Sequence, residues 1–214
     1  MNGKKTGCVR LLALALTALC ACGGKPDAAM QQALALRTAL GAAGGCTFTA
    51  EVTADYGEKI YAYTMECVCE TDAGARFTLR APQTLAGISA EISADGTHVS
   101  YEDTEVGFSA LAGGRLAPMQ LPWLLADGWY SGRICAAGRE DGAVRVSCQL
   151  GYGEQTLTLD TWLGEDGFPQ KSAVSFDGQT LLTAEIQNFS LERSNDYEYT
   201  QKNVGGDISG PSGA

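Results

Sequence analysis

The sequence predicts an α+β domain: an antiparallel meander with one apolar face, covered by an N-terminal helix and a short helical insertion. Three observations carry this. Four Asp-Gly pairs (95–96, 141–142, 166–167 and 177–178) stand between runs that alternate polar and apolar residues. Residues 28–40 are rich in helix formers, and residues 116–129 form an apolar, proline-containing block. Asp-Gly is favoured in two-residue hairpins because type I′ turns need positive φ at both central positions.

The chain opens with Lys4, Lys5 and Arg10 and no acid, followed by Leu11 to Leu19, apolar except for Thr17. That run is shorter than the ~20 residues of a membrane-spanning helix, and with its basic start it reads as an export signal, residues 1–21. Its end, Leu19-Cys20-Ala21-Cys22, resembles the bacterial lipobox, which directs lipidation of the last cysteine. Cys20 departs mildly from the usual middle residue, and it is itself a poor acceptor because Leu19 is too large for the small-residue site. Cys22 is therefore the expected lipidation site; the alternative is an ordinary secretory signal cleaved near Ala21 without lipid. A covalent diacylglycerol on Cys22 is the one expected non-protein group. Two acyl chains hold a protein stably on a membrane, here the extracytoplasmic face of a bacterial cell membrane. Removing the signal leaves 12 Lys and Arg against 25 Asp and Glu, a formal charge of −13. Such a charge argues against nucleic acid and anionic headgroups as partners, and solubility alone also accounts for it.

Residues 22–27 are a short tether. Asp27 suits an N-cap, and Met30, Ala33, Leu34 and Leu40 fall at helical spacing in a helix over 28–40, closed by GAAGG. Strands are expected at 47–53, 60–69, 75–80, 88–94, 97–103, 132–138, 143–150, 154–163, 170–177 and 180–191. Between the two groups of strands, 116–129 reads as a short helix with Pro122 in its first turn. The domain spans 28–193, and the Gly-, Ser- and Asn-rich tail, 194–214, has no apolar periodicity and is expected to be disordered. Phe48, Val52, Phe77, Leu79, Ile88, Ile92, Val99, Tyr101, Val174 and Phe176 each occupy one parity of their strands, giving the sheet one apolar face. Whether that face is a filled core or a cavity is open at this level.

Five cysteines follow Cys22. Counting outward from a turn on Asp141-Gly142 sets Cys135 opposite Cys148. A turn on Gly57-Glu58 sets Cys46 opposite Cys69, and one on Tyr56-Gly57 sets it opposite Cys67. Disulfides Cys135–Cys148 and Cys46–Cys69 (or Cys46–Cys67) are therefore expected in an exported chain, against the alternative of buried free thiols. No metal site is expected, because these thiols lack a fourth ligand. The one histidine, His98, follows a hairpin turn and shares a polar strand face with Ser100 and Glu102. No phosphate loop, HExxH, GxSxG or EF-hand spacing occurs, so no enzyme is expected.

The stretch RFTLRAPQTLAGISAEISADGTHVSYEDTEVGF, residues 76–108, resembles Gram-positive lipoproteins of the LolA-like superfamily, among them the germination lipoprotein GerS and its relatives. It carries a strand ending near Pro82, the Leu85-Ala86-Gly87-Ile88 step and an Asp-Gly hairpin with Tyr101. DGFPQKSAVSFDGQTLLTAEIQNFSL, residues 166–191, resembles that fold's closing hairpin. The resemblance implies a strongly curved, incomplete barrel whose concave apolar face is covered by helices. It implies a lipid or acyl chain against Phe48, Val52, Leu79, Ile92 and Val99, with Trp123, Leu124 and Trp129 on a lid. It equally implies a non-catalytic envelope scaffold that binds a partner protein, such as a cell-wall or spore-cortex enzyme.

Overall fold

The structure is a computed structural model that describes residues 27–55, 57, 59–70, 74–93, 96–101, 104–108, 118–151 and 156–191. The signal, Cys22, Asp95 of the Asp95-Gly96 pair, Glu102 and the tail expected at 194–214 lie outside these residues.

Helix α1 (Ala28–Ala43) starts at Asp27, whose carbonyl accepts the Gln31 N–H at 3.0 Å. It ends at Gly44, which takes the left-handed conformation (φ 76°) and donates its N–H to the Leu40 carbonyl. A side chain there would meet the usual penalty of that region, so glycine is the fitting stop. Strands β1 (Gly45–Asp55), β2 (Ile60–Glu70), β3 (Gly74–Ala81), β4 (Ser89–Ser93), β5 (Gly96–Tyr101) and β6 (Thr104–Phe108) follow. A 3-10 turn (Pro118–Gln120) and helix α2 (Leu121–Tyr130) precede β7 (Arg133–Glu140), β8 (Ala143–Leu150), β9 (Leu157–Leu163), β10 (Pro169–Phe176) and β11 (Gln179–Ser190).

Among the described residues these form one antiparallel sheet of eleven strands, in the order β6-β5-β4-β3-β2-β1-β11-β10-β9-β8-β7. The chain starts at the centre, steps outward to one edge, crosses to the other edge through α2, and steps back to the centre. The first and last strands, β1 and β11, pair side by side. The sheet does not close, since β6 and β7 are its two edges.

The curvature follows from α2. This ten-residue helix packs on β2 and β3 and also on β8. Six strand steps separate β3 from β8, which in a flat sheet would be about 29 Å at ~4.8 Å per step. The helix is about 15 Å long. The sheet therefore curls around it into the incomplete barrel expected. α1 packs beside it on β7, β8 and β1.

Two Asp-Gly pairs form two-residue turns. Asp141 and Gly142 have φ 50° and 88° between paired Glu140 and Ala143, and Asp177 and Gly178 have φ 48° and 77° between Phe176 and Gln179. Asp166-Gly167 instead sits in a longer loop in which Gly164 donates to the Phe168 carbonyl. At the first hairpin the register is the Gly57-Glu58 alternative, with Cys46 opposite Cys69.

Several expectations are corrected. The strand expected over 97–103 ends at Tyr101, and the run TEVGF forms a further edge strand, β6. On α1 the buried residues are Ala29, Ala33, Leu36 and Leu40, while Leu34 is 44 % exposed. The helix is apolar nearly all round, so its residue pattern does not select a face. Cys135 does not oppose Cys148. The expected register holds from Glu140↔Ala143 to Ala136↔Ser147, then a bulge drops Cys135 out of the ladder and pairs Ile134 with Cys148. Cys135 is exposed, Cys148 is buried, and all five described cysteines are free thiols, so neither expected bridge is present.

Candidate ligand-binding face

The concave face is built by alternation. Phe48, Ala50, Val52 and Ala54 of β1, Met65, Cys67 and Cys69 of β2, and Phe77 and Leu79 of β3 all point inward and are buried. Ala90 and Ile92 extend this face onto β4. From the other wing come Val144, Val146, Cys148 and Leu150 of β8, with Leu159 and Leu163 of β9 opposite them. Val174, Leu182, Ala184 and Ile186 complete the centre. At about 25 cal/mol per Å² of buried apolar area, this continuous face is the dominant source of stability.

Of the residues expected on the ligand face, Phe48, Val52, Leu79, Ile92, Leu124 and Trp129 lie together in this core, all at most 6 % exposed. Val99 is partly buried against it. Trp123 departs from them at 38 % exposure. Six residues separate it from Trp129, about 240° around a helix, so the two tryptophans cannot share a face.

Trp129 anchors the C-terminal end of α2. Its ring meets Phe48 edge-on (5.4 Å between centroids, 64° between planes) and Phe189 at 5.8 Å, and Phe168 stacks on Phe189 at 5.2 Å. The indole Nε1–H donates to Thr161 Oγ1 at 3.0 Å, and Thr161 shares a 3.0 Å hydrogen bond with Ser172 Oγ. These hydroxyls are thus satisfied inside an apolar surface, as buried polar groups must be. Phe189 reaches the cluster through a bulge: Asn188 takes a positive φ of 53°, and the β1–β11 register slips between Thr47↔Ser190 and Thr49↔Gln187. Simple alternation places Phe189 on the convex face; the slip turns it inward.

Two further contacts fix this end of α2. A Cβ on Gly128 would collide with Leu159 Cδ2, so the helix backbone lies directly on β9. Arg37 of α1 donates through Nε to the Trp129 carbonyl (3.2 Å) and through Nη2 to the Gly132 carbonyl (2.5 Å). Its charge thereby satisfies carbonyls at the negative end of the helix dipole. At the other end, Pro122 sits in the first turn and no side chain caps the helix. The Cys69 thiol contacts the Pro122 carbonyl at 3.5 Å.

Cys46, Cys67 and Cys69 form a thiol group beneath α2. Contact with Cys46 and burial push the Cys69 thiol well above its usual range, and burial together with Cys46 does the same for Cys67. Burial pushes Cys148 up to about 11, with Arg37 opposing. Thiols held protonated are poor nucleophiles at neutral pH. Among the described residues no group of three or more His, Cys, Asp or Glu could hold a metal ion. His98 is exposed on β5, opposite Glu91 of β4 and Gly107 of β6. No helix among the described residues is long and apolar enough to cross a membrane.

The sequence matches no protein-family model and no curated protein. Solved structures are similar to it. A LolA superfamily protein from Nitrosomonas europaea shows a TM-score of 0.44 and 9 % identity, over 80 % of this chain and 98 % of that one. A putative outer membrane lipoprotein-sorting protein domain from Vibrio parahaemolyticus shows a TM-score of 0.45 and 11 % identity, over 82 % and 97 %. MucB in the MucA/MucB complex of Pseudomonas aeruginosa shows a TM-score of 0.37 and 20 % identity, over 78 % of this chain and 60 % of that one.

Proposed function

We propose that the chain is a non-catalytic bacterial envelope lipoprotein, anchored through diacylglycerol on Cys22, whose half-barrel takes a lipid or acyl chain against its concave face. The described state is its closed form, with α2 as the lid. The single observation that carries this is the way α2 is held. It crosses the mouth of an open, apolar half-barrel, and its described polar fastenings are stronger at one end. Arg37 and Thr161 hold the C-terminal turn, where Gly128 lies against Leu159. Against these stands a weak thiol contact from Cys69 to the Pro122 carbonyl at the N-terminal turn. The N-terminal end has no side-chain cap and presents Trp123 to solvent. A helix held this way pivots at its C-terminus, and an acyl chain replaces Leu124 and the other apolar residues above Val52 and Leu79 with equivalent contacts.

The test is native mass spectrometry of a Cys22→Ser chain purified from the cells that export it. An acyl-lipid adduct, displaced when Val52→Trp fills the face, is the expected result. A clean protein mass in the wild-type domain would overturn the carrier reading.

A second reading is a scaffold for a partner protein such as a cell-wall or spore-cortex enzyme, of the kind expected from the germination relatives. The observation favouring it is the filled packing of Gly128 and Trp129, which leaves no room beneath that half of α2. An adduct-free chain that retains an envelope protein through affinity purification would decide for it.

A further inference from the structure

The outward side of the helical layer carries little charge. From Gln31 to the end of α1 the exposed residues are Gln31, Leu34, Ala35, Thr38, Gly41 and Ala42. The one ionic residue of α1, Arg37, is half-buried and turned to the backbone of Trp129 and Gly132. α2 adds Trp123 and Tyr130, 38 % and 39 % exposed and seven residues apart, hence on one side of the helix. The two helices share this surface, since the Tyr130 ring lies 3.3 Å from where a Cβ on Gly41 would sit. The one ionic residue of α2, Asp127, lies between Trp123 and Tyr130 on this side, is partly exposed, and accepts the Ser131 hydroxyl. A surface helix ordinarily turns charged residues to water. This chain has 25 acidic residues, yet Asp127 is the one acid among the residues just named.

We propose that this face docks on the boundary between headgroups and acyl chains of the membrane that holds the protein. The inference rests on the reading of Cys22 as the lipid anchor. Five residue steps lead from Cys22 to Asp27, at most about 18 Å of extended chain. Leu34 lies about 10 Å farther along α1. The anchor therefore keeps this face within reach of the bilayer. Tryptophan and tyrosine favour that boundary because their rings are apolar and their N–H and O–H groups stay wet. Anionic headgroups repel the rest of this acidic surface, so the face of least charge, with Asp127 alone on its α2 side, is the one that can approach, and zwitterionic lipid suits it best. Docked this way, the N-terminal end of α2 meets the lipid from which an acyl chain would enter.

The test uses the full lipidated chain reconstituted into phosphatidylcholine vesicles with brominated acyl chains, read by flotation and by tryptophan emission. The expected result is a chain that floats and loses emission against unbrominated vesicles. The loss should vanish in Trp123→Phe, because Trp129 is buried in the core and Trp162 lies under Arg145 on the opposite, convex face, and shrink in Leu34→Asp, whose exposed position tolerates the change. Flotation without quenching, or quenching that survives Trp123→Phe, overturns the docking face and leaves the anchor standing. A chain that does not float removes the anchor and the docking face together. An unquenched chain that cross-links as a dimer through Trp123 assigns the face to a second copy instead.

Discussion

The convex face of the sheet and the space between its concave face and the helices hold the same strands together by different physics. On the convex face Arg80 pairs with Glu66 (2.5 Å) and Lys171 with Glu185 (2.9 Å), both more than 40 % exposed. Arg145 joins Asp160 (2.8 Å) to Glu140 (2.9 Å) and lies over the Trp162 ring at 5.3 Å. Ser147 also donates to Asp160. On the concave side the described hydrogen bonds are few and gather mostly at the C-terminal turn of α2. Exposed ion pairs contribute little each because water and salt screen them, whereas buried aromatic contacts lose their full value when cut. The convex face should therefore tolerate substitution, and the α2 anchor should not.

Trp129→Ala should produce the largest loss, about 3–5 kcal/mol, because it empties the centre of the Phe48–Phe189 cluster and removes the indole donor from Thr161. Urea unfolding monitored by circular dichroism measures it. Gly128→Ala should follow at about 1–3 kcal/mol, since the added methyl forces α2 away from Leu159. If the same assay shows no effect, the close seat of α2 on β9 is wrong. Arg37→Met keeps the apolar stem and removes the two carbonyl contacts, a cost of about 1 kcal/mol at a partly exposed site.

Alkaline pH probes the same region. Cys148 titrates near 11 when folded against 9.0 when free, so the folded state retains a proton that the unfolded chain releases. Its contribution is intact below pH 9, falls as pH rises toward 11, and has the same sign for Cys67 and Cys69. Thermal melts from pH 8 to 11 should show this decline, less steeply in Cys148→Ala. Lys171→Ala, on the convex face, should change stability by less than about 1 kcal/mol. A loss there as large as that of Gly128→Ala would erase the contrast between the two faces.

Much of the fold was legible because local chemistry dictates it. Asp141-Gly142 and Asp177-Gly178 mark their turns through positive φ, and alternation marks Phe48, Val52, Phe77 and Leu79 as one face. Two departures from simple alternation share one cause: an extra residue in a strand reverses parity without leaving a sequence signal. The bulge at Asn188 turns Phe189 inward, and the bulge at Cys135 separates it from Cys148. Side-chain contacts between distant elements were equally invisible. Arg37 grips Trp129 and Gly132 only because α1 and α2 lie side by side, and nothing near Arg37 in the sequence encodes that. Trp123 was grouped with Trp129 because both are large and apolar, although helical spacing separates them.

Hydrogen exchange across residues 121–130, with and without palmitate, tests the pivoting of α2 most directly. The account predicts that α2 amides open below the global unfolding free energy, and that palmitate raises their exchange while β8 and β9 stay protected. Amides of α2 that exchange only with global unfolding, unchanged by palmitate, would contradict it.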